Sequence, residues 1–132
     1  MPPPPALRRL HHVAIICADY ERSKRFYTEV LGFAVLAEVY REARASYKLD
    51  LALGGDYLLE LFSFPEPPPR VSRPEATGLR HIAFAVDDLD AWVAHLTTHG
   101  VSTEPIRVDE FTARRFTFLA DPDDLPIELY EQ

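Results

Sequence analysis

Hydrophobic and polar positions follow two periods along this chain, and they follow them in the same order in each half. Leu10-His11-His12-Val13-Ala14-Ile15-Ile16-Cys17 is apolar, rich in β-branched residues and too short for a stable helix, which predicts a buried strand. Asp19 then stands where an N-cap belongs, and Phe26, Tyr27, Val30 and Leu31 recur at helical spacing. Gly32 supplies the left-handed residue that ends the helix. Extended segments are predicted at Ala34–Tyr40, Ser46–Leu53 and Tyr57–Phe62, with Gly54-Gly55-Asp56 as the turn between the last two.

Between Ser63 and Gly78 five prolines remove backbone donors and fix φ, so neither a helix nor a central strand can run through that segment. Beyond it the opening pattern returns. Leu79-Arg80-His81-Ile82-Ala83-Phe84-Ala85-Val86 predicts a strand, Asp88 a cap, Leu89, Trp92, Val93 and Leu96 a helix, and Gly100 its end. A 69-residue shift lays His12 on His81 and Asp19 on Asp88; a 68-residue shift lays Gly32 on Gly100 and Leu59-Glu60-Leu61 on Ile127-Glu128-Leu129. Later strands are expected at Val101–Ile106, Arg114–Leu119 and Pro126–Tyr130, with Asp121-Pro122-Asp123-Asp124 as a turn. The chain is therefore read as one α+β domain of two tandem βαβββ modules, residues 8–62 and 79–130. A Pro-rich linker over 63–78 joins them, and residues 1–7 form a disordered tail. Eight strands from the two modules are expected to make a curved, incompletely closed, barrel-like sheet with the helices outside.

Composition narrows the function. At 132 residues there is room for one core. Lys and Arg total 14 against 21 Asp and Glu, a net charge of −7 that argues against nucleic acid and membrane surfaces as partners. No apolar run approaches the roughly 18 residues that span a bilayer. The Met-Pro-Pro-Pro-Pro start lacks the form of a signal peptide, so a cytoplasmic location is expected. Cys17 is the single cysteine and sits in an apolar run, which suits a small core residue better than a nucleophile.

The repeat carries a His/Glu pair as a unit. His12 shares a strand face with Ala14 and Ile16, and Glu60 shares one with Leu58 and Phe62. A carboxylate flanked by apolar residues costs several kcal/mol to bury unless it is paired or metal-bound. Two of them at repeat-related positions, each matched by a histidine, call for a common partner, and a divalent cation held by His12, Glu60, His81 and Glu128 supplies one. Taken singly, a His on a strand is more often a hydrogen-bonded structural residue than a ligand, and a Glu in a short strand usually lies on an exposed face; it is the agreement of all four through the repeat that favours a metal. His11 points to the other face and has Arg80 at its repeat position; His95 and His99 are expected to be solvated on the second helix.

Four segments together resemble the vicinal oxygen chelate superfamily: residues 10–16, Phe-Tyr-Thr-Glu-Val-Leu-Gly-Phe at 26–33, Gly-Leu-Arg-His-Ile-Ala-Phe at 78–84 and Asp-Pro-Asp-Asp-Leu-Pro-Ile-Glu-Leu at 121–129. This is the group of glyoxalase I, methylmalonyl-CoA epimerase, extradiol dioxygenases and the fosfomycin- and bleomycin-resistance proteins. Within it, Glu-Val-Tyr-Arg-Glu-Ala-Arg at 38–44, Glu-Leu-Phe-Ser-Phe-Pro at 60–65 and Arg-Phe-Thr-Phe at 115–118 are similar to the YaeR-like glyoxalase-related proteins.

The resemblance implies one divalent ion (zinc, nickel, cobalt, manganese or iron(II)) on His12, Glu60, His81 and Glu128. It also implies stabilisation of an enediolate from a small α-hydroxy or α-keto compound or its thiol adduct, with a metal-bound glutamate as base. The reaction is then that of a lyase or isomerase, with Glu128 preferred over Glu60 as the base. A homodimer is expected, with modules pairing either within a chain or between chains. Two alternatives stand beside this: a metal- or ligand-binding protein without catalysis, and an iron(II) extradiol-type dioxygenase, which the fourth ligand Glu60 disfavours. Ile16 and Phe64 stand where glyoxalase I carries glutathione-contacting residues. Tyr47, Phe62, Phe111, Arg114, Arg115 and Phe116 can line a pocket or belong to core and surface.

Overall fold

A computed structural model describes all residues, 1–132. Its elements run β1 Val13–Cys17, α1 Tyr20–Arg25, β2 Ala34–Arg41, β3 Ser46–Leu53, β4 Asp56–Ser63, β5 Ile82–Val86, α2 Leu89–Thr98, β6 Arg107–Val108, β7 Arg115–Ala120 and β8 Pro126–Glu131. Asp19 caps α1 by accepting from the Arg22 N–H, and Asp88 caps α2 through the Ala91 N–H, as the repeat predicts. After Arg25 the first helix loosens into a π-type turn over Phe26–Val30, and Gly32 ends it at φ +86°.

The eight strands divide into two four-stranded sheets with matching topology, β1-β4-β3-β2 and β5-β8-β7-β6. In each, the first strand runs parallel to the last and the rest are antiparallel, giving an α+β architecture of two curved sheets that do not close into a barrel. The strand expected at Val101–Ile106 is displaced to Arg107–Val108. Pro105 has no N–H to give a ladder, so this stretch follows β7 only through Glu104 N–H to the Phe118 carbonyl and Thr117 Oγ1 to the Glu104 carbonyl.

One face of each sheet builds the core. Cys17, Leu49, Leu51, Leu59 and Leu61 from the first sheet join Val86, Ile127 and Leu129 from the second and Leu89 and Leu96 from α2 in a single apolar cluster. Cys17 lies in that cluster, where burial, with Asp123 nearby, pushes its thiol up to about 12, outside the range of a reactive thiolate. His95 departs from expectation: it is half-buried, with Nε2 2.8 Å from the Val30 carbonyl, and ties α2 to the end of the first helix. No helix is long and apolar enough to cross a membrane.

Candidate metal centre

The opposite face of each sheet carries the candidate ligands. β1 and β4 pair in the register Ala14↔Glu60, and β5 and β8 in the register Ala83↔Glu128. Each histidine lies one residue before its strand, beside the glutamate of the last strand. His12 Nε2 is 3.7 Å from Glu60 Oε1, and His81 Nε2 is 3.3 Å from Glu128 Oε1. Donors bound to one ion at roughly 2.0–2.2 Å stand about 3 Å apart, so both spacings suit adjacent ligands of a shared metal. His81 Nδ1 is buried without a partner, and its ring meets Phe118 edge-on at 5.1 Å. His81 also borders a cavity of about 710 Å³ whose wall includes Arg73, Arg80, Arg107 and Phe118.

The two pairs differ in their surroundings. Glu60 lies directly across from Asp50 on β3, an arrangement of like charges that needs compensation. Lys48 provides it, 2.8 Å from Asp50 Oδ1 and 3.4 Å from Glu60 Oε2, and the Tyr57 hydroxyl lies 2.9 Å from a carboxylate oxygen of each. Hydrogen bonding to Asp50 raises the Lys48 ammonium, and burial followed by the two carboxylates raises the Tyr57 phenol, so both remain protonated donors. The Tyr57 ring stacks on His12 with centroids 5.0 Å apart, and His12 Nδ1 is 2.8 Å from His11 Nδ1. Across from Glu128, by contrast, stands Phe118.

Within one chain the pairs stay separate, and no third His, Cys, Asp or Glu joins either to make a set able to hold a metal. A joint between the modules fixes their separation. The Tyr27 hydroxyl donates to the buried Asp121 carboxylate at 2.7 Å, and Asp123 accepts from the Ala18 N–H. Burial raises the Asp121 carboxyl above the usual range even though three donors face it.

A family model described as the glyoxalase/bleomycin resistance protein/dioxygenase superfamily matches residues 9–129. The chain belongs to this superfamily. The superfamily domain is 64% identical to the uncharacterized protein YaeR of Escherichia coli (strain K12) over 96% of this chain and 98% of that one. It is 62% identical to the uncharacterized protein YwkD of Bacillus subtilis (strain 168) over the same shares. The crystal structure of SMU.1112c superposes with a TM-score of 0.89 at 43% identity, covering 96% of this chain and all of that one.

Of the candidate pocket residues of this superfamily domain, Phe62 and Phe116 take the carboxylate faces of their sheets. Tyr47 instead stacks on Tyr20, and Arg115 is drawn to Asp90 and Glu131 beside α2. Phe111 is 90% exposed, and Arg114 is exposed beside it. Lys48, Asp50 and Tyr57 were not among the residues expected at the site. Strand alternation signals the first two, since 46, 48 and 50 share a face that pairs with 60 and 62.

Proposed function

We propose that the protein is a divalent-metal-dependent lyase or isomerase whose centre forms between two copies of the chain. His12 and Glu60 of one copy and His81 and Glu128 of the other are the four ligands. The observation that carries this reading is the pair of His–carboxylate contacts, 3.7 and 3.3 Å, at repeat-related positions on sheet faces that the chain's own core leaves uncovered. Ile16 at 55% exposure and Leu36 at 54% lie on or beside the uncovered face of the first sheet, apolar surface of the kind that a second copy covers. Two imidazoles and two carboxylates suit zinc, nickel, cobalt, manganese or iron(II).

A divalent ion held there supplies Lewis acidity to two neighbouring oxygens of a small α-hydroxy or α-keto compound, or of its thiol adduct, and acidifies the adjacent C–H bond. The protein's own residues do the rest. Glu60 stays in place as a ligand because Lys48 and Tyr57 hold its carboxylate. Glu128 has no such donors and an apolar wall beside it, so its carboxylate is free to swing, take the proton from carbon and return it to the neighbouring carbon. Phe62, Phe116 and Phe118 keep water from that carbon.

The test begins with metal analysis of the purified protein and of His12→Ala and Glu60→Ala, both expected to lose metal. Hydroxyacetone, its acidic counterpart hydroxypyruvate and hemithioacetals are then incubated with the loaded protein in D₂O, where wild type exchanges the carbon-bound proton of at least one and Glu128→Gln keeps its metal but does not. Unchanged metal content in either alanine variant would remove that residue from the ligand set. Metal without proton exchange on any compound would leave a binding protein in place of an enzyme.

A further inference from the structure

Arg41 ends β2 half-buried, and its guanidinium lies over the Phe62 ring at 4.7 Å and near Phe64 at 5.8 Å. Its Nη2 donates to Ser46 Oγ at 2.9 Å, but its Nε–H is buried with no acceptor, and it forms no ion pair with any carboxylate. Arg107 of the second module makes a useful contrast. It stacks on Phe116 at 5.0 Å in the same manner, and its charge is met by Glu104 at 3.0 Å. A stacked, preorganised guanidinium with a buried N–H and no counter-charge is the state of a residue whose acceptor arrives from outside the chain.

Position says what that acceptor belongs to. The register Arg41↔Ser46, with Lys48↔Phe62 and Asp50↔Glu60, puts Arg41, Lys48, Phe62 and Glu60 on one sheet face. Phe62 follows Glu60 by two residues on β4, about 7 Å along the strand. Arg44, exposed and also without an ion pair, approaches Phe64 at 5.5 Å and adds a second cation at the same end.

We propose that Arg41 is an anion-recognition residue: the substrate carries, a few bonds from the oxygen pair that meets the metal centre, a carboxylate or phosphate that Arg41 binds. This deepens the proposed function and rests on it for the other end of the substrate. It selects against neutral α-hydroxy ketones and for their acidic counterparts, with Phe62 as the apolar floor between the two ends. Lys48 serves Glu60 and Asp50 and leaves the outer anion to arginine, whose fork matches carboxylate and phosphate geometry.

The metal-loaded protein is titrated calorimetrically with glycolate, L-malate and 3-phosphoglycerate, which share an α-hydroxy acid oxygen pair and carry, respectively, no second anion, a carboxylate and a phosphate. Wild type is expected to bind malate or 3-phosphoglycerate at least about tenfold more tightly than glycolate, and the better of the two identifies the anion. Arg41→Gln should erase that preference, Arg41→Lys should keep part of it, and Arg25→Gln, a charge removed on exposed α1, should keep all of it. Equal binding of all three compounds by wild type, or a preference that survives Arg41→Gln, would overturn the proposal. A second arm needs no metal. Inorganic phosphate added to metal-free protein should shift the Arg41 Nε–Hε resonance saturably and leave that of Arg25 in place, and no shift would overturn the proposal. A protein that retains no ion but gives this shift would defeat the proposed function and sustain the anion site.

Discussion

Glu60 faces Asp50 across β3 and β4, and Glu128 faces Phe118 across β7 and β8. The strand pairings at the two glutamates match, each glutamate has its histidine, and the repeat brings both to the same place in their sheets. The neighbours differ, as does the register beside them: Lys48, Asp50 and Tyr57 with an irregularity after Leu51 in the first module, and Phe116, Phe118 and the buried Leu125 on a regular ladder in the second. One half surrounds its carboxylate with donors, and the other sets its carboxylate beside an apolar wall. Under the proposed function this difference divides labour between copies of the same residue by changing what surrounds it.

The largest expected consequence is in turnover. Glu128→Gln should lower the rate by about 10²- to 10⁴-fold, the usual contribution of a positioned base, while metal content holds. Glu60→Gln should act chiefly through metal loss, and the reverse assignment of effects would break the comparison. Next comes the support of Glu60. Tyr57→Phe removes the hydroxyl shared with Asp50 and should weaken metal affinity by about 10- to 100-fold in a competition titration with a chelator. Leu125→Met in the second module, which removes no donor, should not reproduce this.

The smallest effect concerns how the two halves secure their helices. The first module's helix takes Asp123 from the other module, whereas the N-terminus of α2 takes Glu131 from its own, through the Leu89 N–H. Hydrogen bonding to Arg115, then to that N–H, lowers the Glu131 carboxyl from the ordinary 4.5 to about 2. A carboxylate held lower in the folded chain stabilises it above the ordinary value and loses that contribution as pH falls from 4.5 towards 2. Thermal melts between pH 3 and 7 should accordingly show a shallower acid limb for Glu131→Gln than for wild type.

Much of this was legible before any coordinates. His12, Glu60, His81 and Glu128 follow from a repeat that carries polar residues into apolar strands, and both helix caps from Asp19 and Asp88. Tyr57 was not legible, for a physical reason. It stands three residues before Glu60, an odd separation that simple alternation assigns to the opposite face. A register irregularity between Leu51 and Ala52 pairs Ala52 with Tyr57 and brings the ring round to His12 and Glu60. Arg41 escapes a local reading because its meaning lies in an absent counter-charge, which only the packed sheet reveals. His95 looked solvated from its helix alone, since its partner, the Val30 carbonyl, belongs to the other module. The strand expected at 101–106 failed where Pro105 outweighed the repeat.

The proposed function depends most on the centre forming between copies. Mixing a His12→Ala/Glu60→Ala chain with a His81→Ala/Glu128→Ala chain, refolding them together and measuring bound metal tests this directly. A centre shared between copies leaves one intact site in each mixed dimer, so metal should recover to about one quarter of the wild-type level, although neither variant binds any alone. Metal content that stays at the level of the separate variants, in a sample shown to contain mixed dimers, would contradict it.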